Sequence, residues 1–170
     1  MIDSANLSTG IGLLVIEAAI LAQNNKTAAE ISVAVENLKP YVRASFVVDT
    51  LTYLHRGGRG GAIAAMAGGL LKLHPQIIVE HGAMKPTKKY RGKMDSVILS
   101  YVKDMEPALK HARPDRVFIT HSGCEPTIIN AVRSYLEGLG IFREILETRA
   151  GGVISSHCGP GTLGVLFIES

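Results

Sequence analysis

The chain has 170 residues, of which 46% are hydrophobic and 19% charged, a composition that can bury a core and argues against disorder. A net charge of +3 is too small to predict a nucleic-acid footprint, and the longest apolar run, residues 11–22, is interrupted by Glu17 and too short for a membrane span. Two cysteines fit a reducing compartment, so we expect a cytoplasmic protein without nucleic-acid partners or stable membrane insertion.

The first predicted element is a helix over residues 9–23, with Ser8 as its N-cap. Its first turn contains Gly10 and Gly12, which are poor helix formers. These glycines could let an anion approach the helix N-terminus, where backbone donors and the dipole favour negative charge. They could equally serve close packing of two elements, and the sequence leaves both interpretations open.

A second helix follows a turn, because Thr27–Glu30 has the spacing of a capping box, and it ends before Pro40. Residues 44–48 then predict a buried strand and residues 51–54 a short helix. This alternation of elements is typical of a mixed α and β architecture.

A glycine-rich basic stretch, His55–Gly61, leads into a predicted helix over residues 62–71 built of small residues. Such a loop at a helix N-terminus can bind phosphate, although it lacks the ending of a Walker A motif. Composition alone favours a mobile surface loop. The helix could line a narrow apolar cavity or simply pack tightly. Its larger apolar residues are Ile63, Met66, Leu70 and Leu71.

Residues 76–79 and 83–85 flank a turn and predict a hairpin. A dense basic run begins in its second strand, and it is either a solvated face or a surface for an acidic partner or a phosphate. Its members are Lys85, Lys88, Lys89, Arg91 and Lys93.

The second half alternates again between helices and strands. Residues 96–112 predict a helix that Pro107 should kink or interrupt. Residues 116–120 predict a strand, residues 126–136 a helix and residues 141–148 another strand. We therefore expect an α/β or α+β fold with adjacent strands at the C-terminus.

The most informative stretch is His157–Gly164, which follows the apolar run 152–155 and precedes the apolar run 165–168. We interpret both runs as strands, which places the His157 imidazole in a loop between them. Glycines on either side of Pro160 give the backbone freedom for close approach to a bound group. Exposed backbone N–H groups beside an imidazole suit a carboxylate or a phosphate.

Other chemistries remain open for these residues. His121, Cys124, His157 and Cys158 could form a zinc site, although adjacent loop residues rarely reach one ion. Cys158 could be a nucleophile beside His157, but no third orienting group is evident. A small acyl- or phosphoryl-transfer enzyme with His157 as general base is the alternative function.

Four segments, in order, resemble the motifs of the DegV proteins, which are bacterial fatty-acid-binding proteins that include the binding subunits of fatty acid kinase. The segments are Asp3–Val15, Phe46–Arg59, Lys89–Lys93 and His157–Gly164. They are spread over nearly the whole chain, and it is their order that makes the resemblance specific.

The resemblance implies a fatty acid held between two lobes, with its carboxylate at the lobe interface, and presented to the catalytic subunit of the kinase. It places His157 in the head-group network and matches Arg59 and Arg91 to family arginines near the kinase-facing head group. We assign the acyl pocket to the helix of residues 62–71. No catalytic residue, cofactor or metal is expected.

The resemblance also implies domain bounds and departures. Residues 1–42 correspond to the last helices of a first lobe, and residues 43–170 to the second lobe, a mixed sheet packed with helices. Relatives carry roughly a hundred more residues before this start, which would supply most of the first lobe. Gly60 replaces a usual isoleucine and His74 a common lysine. Apolar surface left by an absent lobe would favour association, so a homodimer is a further expectation.

Overall fold

The structure, a computed structural model, describes residues 1–58 and 73–170. Two helices open the chain, α1 over Ser8–Gln23 and α2 over Ala28–Leu38, and a 3₁₀ turn, Lys39–Tyr41, follows them. The predicted capping box at the start of α2 is confirmed: Glu30 N donates to Thr27 Oγ1 at 3.3 Å, and Thr27 N donates to Glu30 Oε2 at 2.8 Å.

The start of α1 differs from the prediction. The residue before the helix is Leu7, no side chain caps the first turn, and Ser8 is itself the first helical residue. Asn6 instead accepts a hydrogen bond from Leu7 N at 3.0 Å through its own side chain. A Cβ on Gly10 would lie 2.1 Å from Asn6 Oδ1, so the glycine is needed for the close approach of the Asn6 side chain. At this position the structure favours the packing interpretation of the glycine over the approach of an anion.

Six strands form one mixed sheet in the order β3-β2-β1-β6-β4-β5. All neighbours pair antiparallel except β4 and β5, which are parallel. The predicted hairpin is confirmed and is longer than expected. The prediction of adjacent strands at the C-terminus is wrong, because residues 152–155 belong to a helix and β4 lies between β5 and β6. The strands are β1 Val42–Val47, β2 Leu73–Glu80, β3 Ala83–Arg91, β4 Ala112–Ser122, β5 Glu144–Arg149 and β6 Thr162–Glu169.

Five further helices are described. Pro107 interrupts the long predicted helix as expected, since α4 ends at Asp104 and a separate short helix contains the proline. None of the described helices combines the length and apolar character needed to cross a bilayer. The helices are α3 Thr52–Arg56, α4 Met94–Asp104, α5 Glu106–Leu109, α6 Pro126–Gly138 and α7 Gly152–Cys158.

Both faces of the sheet are covered, which gives three layers and confirms the predicted mixed sheet packed with helices. Side chains alternate between the faces of each strand. On β4, Val117 and Ile119 pack with α4 and α6, whereas Phe118 packs with Leu13 and Leu14 of α1.

Tyr101 of α4 is fully buried on the first face, where it bridges two central strands. Its hydroxyl donates to Ser45 O at 2.9 Å and accepts from Val165 N at 3.0 Å. Burial raises the pKa of this phenol, so it stays protonated and keeps its donor.

Candidate functional site

His157 lies on the helix α7 and not in a loop between strands, so the interpretation of residues 152–155 as a strand is wrong. An apolar run of this length does not distinguish a strand from a helix by its period. Val153 is 70% exposed, whereas Cys158 is buried, so the helix turns one side to solvent and one to the core. His157 Nδ1 lies 2.7 Å from Val153 O, which assigns the Nδ1 proton, because a carbonyl can only accept.

The predicted anion-binding backbone after His157 is largely engaged within the protein. Gly159 N donates to Ser155 O at 2.9 Å, and Gly161 N donates to Ser122 O at 2.8 Å. Pro160 has no N–H. The two glycines have φ of 82° and 72°, so they shape the turn that joins α7 to β6. The Gly-Pro-Gly turn is therefore an anchor to the end of β4, and its amide groups do not form the anion site that the sequence predicts.

Helix α3 packs directly on this turn and brings two distant motifs together. A Cβ on Gly57, just after α3, would lie 2.1 Å from His157 Cδ2. A Cβ on Gly159 would lie 2.4 Å from Tyr53 Cδ2. Contacts this close require glycine, so the imidazole rests on the backbone of residue 57 and the Tyr53 ring rests on the turn.

A buried histidine connects the loop before α3 to the turn after β3. His74 Nε2 lies 2.9 Å from Gly92 O, and Nδ1 lies 3.1 Å from Asp49 O and 3.2 Å from Asp49 Oδ1. Both ring nitrogens therefore face backbone carbonyl oxygens, so the imidazole connects the two segments through opposite sides of its ring. Arg91 is exposed and precedes Gly92 in the chain. The contacts of His74 with Gly92 and Asp49 therefore connect the backbone beside Arg91 to the loop that leads into α3 and Gly57.

We expect His74→Leu to loosen both connected segments, because it leaves two carbonyl acceptors without their donors, at a cost of about 1–3 kcal/mol. Hydrogen exchange of peptides covering residues 49–57 and 91–93 measures this effect. His74→Lys supplies ammonium donors and should retain much of the protection. The exposed His111 provides a control, His111→Leu. Equal exchange in the wild type and His74→Leu would show that the connection is unimportant.

A cleft opens between the N-terminus of α1 and helix α7. Leu7, Phe46, Ile154 and Leu166 form its apolar wall, and Ser8 and Ser122 are among its polar residues. It holds about 30 Å³ of open space, room for about two water-sized groups, and the surface that faces this space is almost wholly apolar. Hydroxyl contacts fix α1 there: Thr9 Oγ1 lies 2.6 Å from Thr120 Oγ1, which lies 2.9 Å from Thr148 Oγ1.

Comparison with known proteins shows the family of this chain. The model of the DegV family matches residues 1–170. The chain belongs to the DegV family. A DegV domain-containing protein of Caldanaerobacter subterraneus subsp. tengcongensis is 31% identical over 171 residues, covering 99% of this chain and 60% of the relative. The chain thus spans about 60% of the length of the curated relatives it matches.

Two solved structures share the DegV fold of this chain. A DegV family protein from Thermus thermophilus, for which fatty acid binding is described, is 27% identical with a TM-score of 0.87, and the match covers 99% of this chain and 60% of that one. The Streptococcus pneumoniae Fatty Acid Kinase (Fak) B3 protein, loaded with linoleic acid, has a TM-score of 0.84 at 17% identity, covering 99% and 59%. At 17% identity, the similarity to this second structure shows a shared fold and nothing further.

The segments that resemble the DegV motifs lie at different places in the structure. His157 and the segment ending at Gly57 are in contact, and Arg91 ends the edge strand β3. Two lysines of the basic run form ion pairs, Lys85 with Glu80 and Lys88 with Asp104. Predicted site residues that lie outside the described part of the chain are Arg59, Ile63, Met66, Leu70 and Leu71.

The cysteines do not support nucleophilic chemistry. Burial raises the pKa of both thiols to about 11, so both stay protonated near neutral pH. Cys124 Sγ donates to Thr162 O at 3.4 Å. Within residues 1–58 and 73–170, no group of three potential metal ligands occurs, so the zinc interpretation gains no support.

Sequence patterns do not identify the residues of this chain that reach the site through tertiary contacts. Ser8 and Ser122 line one cleft although they are 114 positions apart in the chain, and no spacing rule connects them. Tyr53 and His74 have no pattern of composition or spacing that indicates a contact with the site. The sequence offers two signals for them: Tyr53 lies within the Phe46–Arg59 segment that resembles the family, and His74 replaces a common family lysine.

Proposed function

We propose that this chain binds a long-chain fatty acid and presents its carboxylate to the catalytic subunit of a fatty acid kinase. The observation that carries the proposal is the packing of α3 on α7, which joins two family motifs around His157. The relative from Thermus thermophilus, with its described fatty acid binding, supports the ligand class. Because the chain spans about 60% of that protein, residues beyond it can contribute to the complete site.

His157 is the proposed head-group residue with the best-defined surroundings. Its Nδ1 proton is committed to Val153 O at 2.7 Å, so Nε2 is the nitrogen available to a ligand. Nε2 can donate to a carboxylate in the imidazolium form. Arg59 and Arg91 are proposed as further positive groups near the head group and toward the kinase.

The proposed acyl site lies along the cleft and includes residues 62–71, for which the sequence predicts a helix. Phe46 and Ile154 line the cleft and belong to an apolar cluster that continues to Ile77. We assign further contacts with the chain to Ile63, Met66, Leu70 and Leu71. Burial of each methylene contributes about 0.8 kcal/mol before the costs of association, so affinity should rise with chain length.

The proposed partners are the fatty acid, the kinase subunit and a second copy of the chain. In this proposal the kinase subunit carries out the phosphoryl transfer, and this chain contributes no catalytic residue. Ile11 and Val15 lie one turn apart on α1 and are 42% and 61% exposed, which supports self-association. Acyl phosphate formation by a fatty acid kinase, with and without this chain, tests the presentation step.

Native mass spectrometry of the purified chain, followed by extraction and titration with palmitic acid, tests fatty acid binding. We expect one fatty acid per chain, and the same spectrum gives the number of chains bound together. His157→Ala should weaken palmitic acid binding about tenfold, the loss of one hydrogen bond to a charged group. Failure of the wild-type chain to bind palmitic acid at any tested concentration would refute the proposal for this chain.

The enzyme alternative makes a different prediction from the same variant. A general base at His157 would give turnover of an acyl or phosphoryl ester by the isolated chain, and His157→Ala would abolish it. Turnover by the wild type without a partner would favour the enzyme, whereas binding without turnover favours the proposed binding subunit.

A further inference from the structure

Helix α1 is apolar on more than one side, so burial alone does not fix which side faces the sheet. Leu13 and Leu14 are buried against the sheet, whereas Ile11 and Val15 are exposed on the outer side. A surface helix usually has polar residues on its outer side. Turning α1 about its axis would bury Ile11 and Val15 in place of the two leucines, with a similar gain from apolar contact.

Glu17 is the only charged residue among the 16 of α1, and it lies on the side that faces the sheet. It follows Leu13 by four positions and Leu14 by three, which are the spacings of neighbours on one side of a helix. Its carboxylate accepts hydrogen bonds from Arg116 Nη1 at 2.6 Å and from Arg113 Nη1 at 3.3 Å. Both arginines belong to β4, so these ion pairs connect the second half of α1 to the sheet.

These ion pairs lie largely out of contact with water. The side chains of Glu17 and Arg116 are 18% and 13% exposed, and Arg116 Nε also donates to Glu144 Oε2 of β5 at 3.3 Å. Charges taken out of water need good geometry with their partners, because their attraction must repay the loss of hydration. Turning α1 would separate Glu17 from both arginines. The ion pairs therefore distinguish between rotations of α1 that apolar burial leaves similar.

The rotation of α1 also decides the shape of the cleft at its N-terminus. Leu7, which directly precedes the helix, forms part of the apolar wall of the cleft. At the same end of α1, Thr9 Oγ1 lies 2.6 Å from Thr120 Oγ1. Glu17 is eight residues beyond Thr9, about 12 Å along the helix axis, and it does not line the cleft. Glu17 can therefore affect the cleft only through the position of the helix.

We propose that Glu17 is a positioning residue of the fatty acid site. Its ion pairs with Arg113 and Arg116 select the rotation of α1 that brings Leu7 to the wall of the cleft. Without them, α1 populates other rotations, and the affinity for a fatty acid falls in proportion to the fraction of chains that keep the native one. This inference rests on the proposed fatty acid binding and adds to it a residue that does not touch the ligand.

Glu17→Leu tests the proposal, because leucine suits a largely buried position and removes the charge. Arg116 retains Glu144, and Arg113 is 39% exposed, so neither arginine is left buried with its charge unpaired. We expect the variant to fold. If about one chain in ten keeps the native rotation, its affinity for palmitic acid falls about tenfold.

Methyl NMR measures the rotation of α1 independently of any ligand. In the wild type, the methyl groups of Leu13 and Leu14 should show nuclear Overhauser contacts with the ring of Phe118, which belongs to the same buried cluster. In Glu17→Leu these contacts should weaken, and contacts from the methyl groups of Ile11 and Val15 to Phe118 should appear. A purely stabilising role of Glu17 would lower the unfolding midpoint and leave the contacts of the folded chain unchanged.

Two further variants complete the experiment. Glu17→Gln keeps the side-chain length and one acceptor oxygen, so it should retain part of the native contacts and affinity, and it gives the same measurement if Glu17→Leu does not fold. Glu137→Leu is the matched control, because Glu137 is an exposed glutamate on α6. It should leave the contacts of α1 and the affinity unchanged.

The two measurements separate this inference from the proposed function. Native contacts of α1 in both Glu17 variants would overturn the inference while fatty acid binding stands. A turned helix with wild-type affinity for palmitic acid would equally overturn it, because Glu17 would then not position the ligand site. If the wild type binds no palmitic acid, the proposed function and the role of Glu17 in ligand binding both fail.

Discussion

Tyr101→Ala is expected to lower the free energy of unfolding by about 3–5 kcal/mol, the cost of removing a buried aromatic ring and leaving a cavity. Tyr101 is fully buried between α4 and the central strands β1 and β6. Tyr101→Phe keeps the ring and removes the hydroxyl, which leaves Val165 N without its acceptor and Ser45 O without this donor. We expect it to cost about 1–3 kcal/mol.

Chemical denaturation of the two variants measures both values. Tyr41→Phe is the control, since Tyr41 is 46% exposed and should tolerate loss of its hydroxyl within about 0.5 kcal/mol. A Tyr101→Phe variant as stable as the wild type would mean that the phenol does not connect the two strands energetically.

Gly57→Ala should displace the His157 ring and lower the affinity for palmitic acid about tenfold or more. The backbone of Gly57, with φ of −76° and ψ of 4°, suits any residue, so alanine introduces no backbone strain. The added Cβ would lie 2.1 Å from Cδ2 and 2.7 Å from Nε2 of His157, and the ring must move away. Such overpacking costs about 1–3 kcal/mol of stability.

Proton NMR of the His157 ring and titration with palmitic acid follow the two effects of Gly57→Ala. Gly138→Ala adds the same methyl group at the end of α6, where nothing among the described residues lies within 4 Å, and should leave the ring and the affinity unchanged. Unaltered ring signals in Gly57→Ala would contradict the contact itself. A displaced ring with unaltered affinity would remove His157 from the head-group site.

The elements predicted correctly from sequence have local signals. Thr27 and Glu30 cap α2 through contacts three residues apart, and Pro107 interrupts a helix because it lacks an N–H. The hairpin of β2 and β3 follows from two short runs that flank the turn at residues 80–82. Each of these features depends on residues that are close in sequence, so it can be predicted from the amino-acid sequence alone.

The errors concern elements that tertiary contacts determine. The run 152–155 could form either structure, and α7 forms because Ile154 and Cys158, four residues apart, face the same cleft. The position of β6 between β1 and β4 depends on non-local pairing, which the order of the elements does not reveal. The amides of Gly159 and Gly161 donate to Ser155 O of α7 and to Ser122 O of β4. The sequence does not show that these acceptors lie close to the turn.

A ligand in the cleft beside α1 would connect its own binding to the docking of the first helix on the sheet. Thr9 and Thr120 hold the two elements together by a hydroxyl contact of 2.6 Å, and the cleft beside it has Ser8 on one side and Ser122 on the other. A ligand that contacts both Leu7, just before α1, and Leu166 of β6 in this cleft would be a non-covalent cross-link between residues far apart in sequence. By thermodynamic linkage, a ligand at a hundred times its dissociation constant would oppose separation of α1 from the sheet by about 2.7 kcal/mol. The empty and occupied forms would then differ most in how often α1 detaches, and thereby in how long the apolar cluster beneath it is exposed to water.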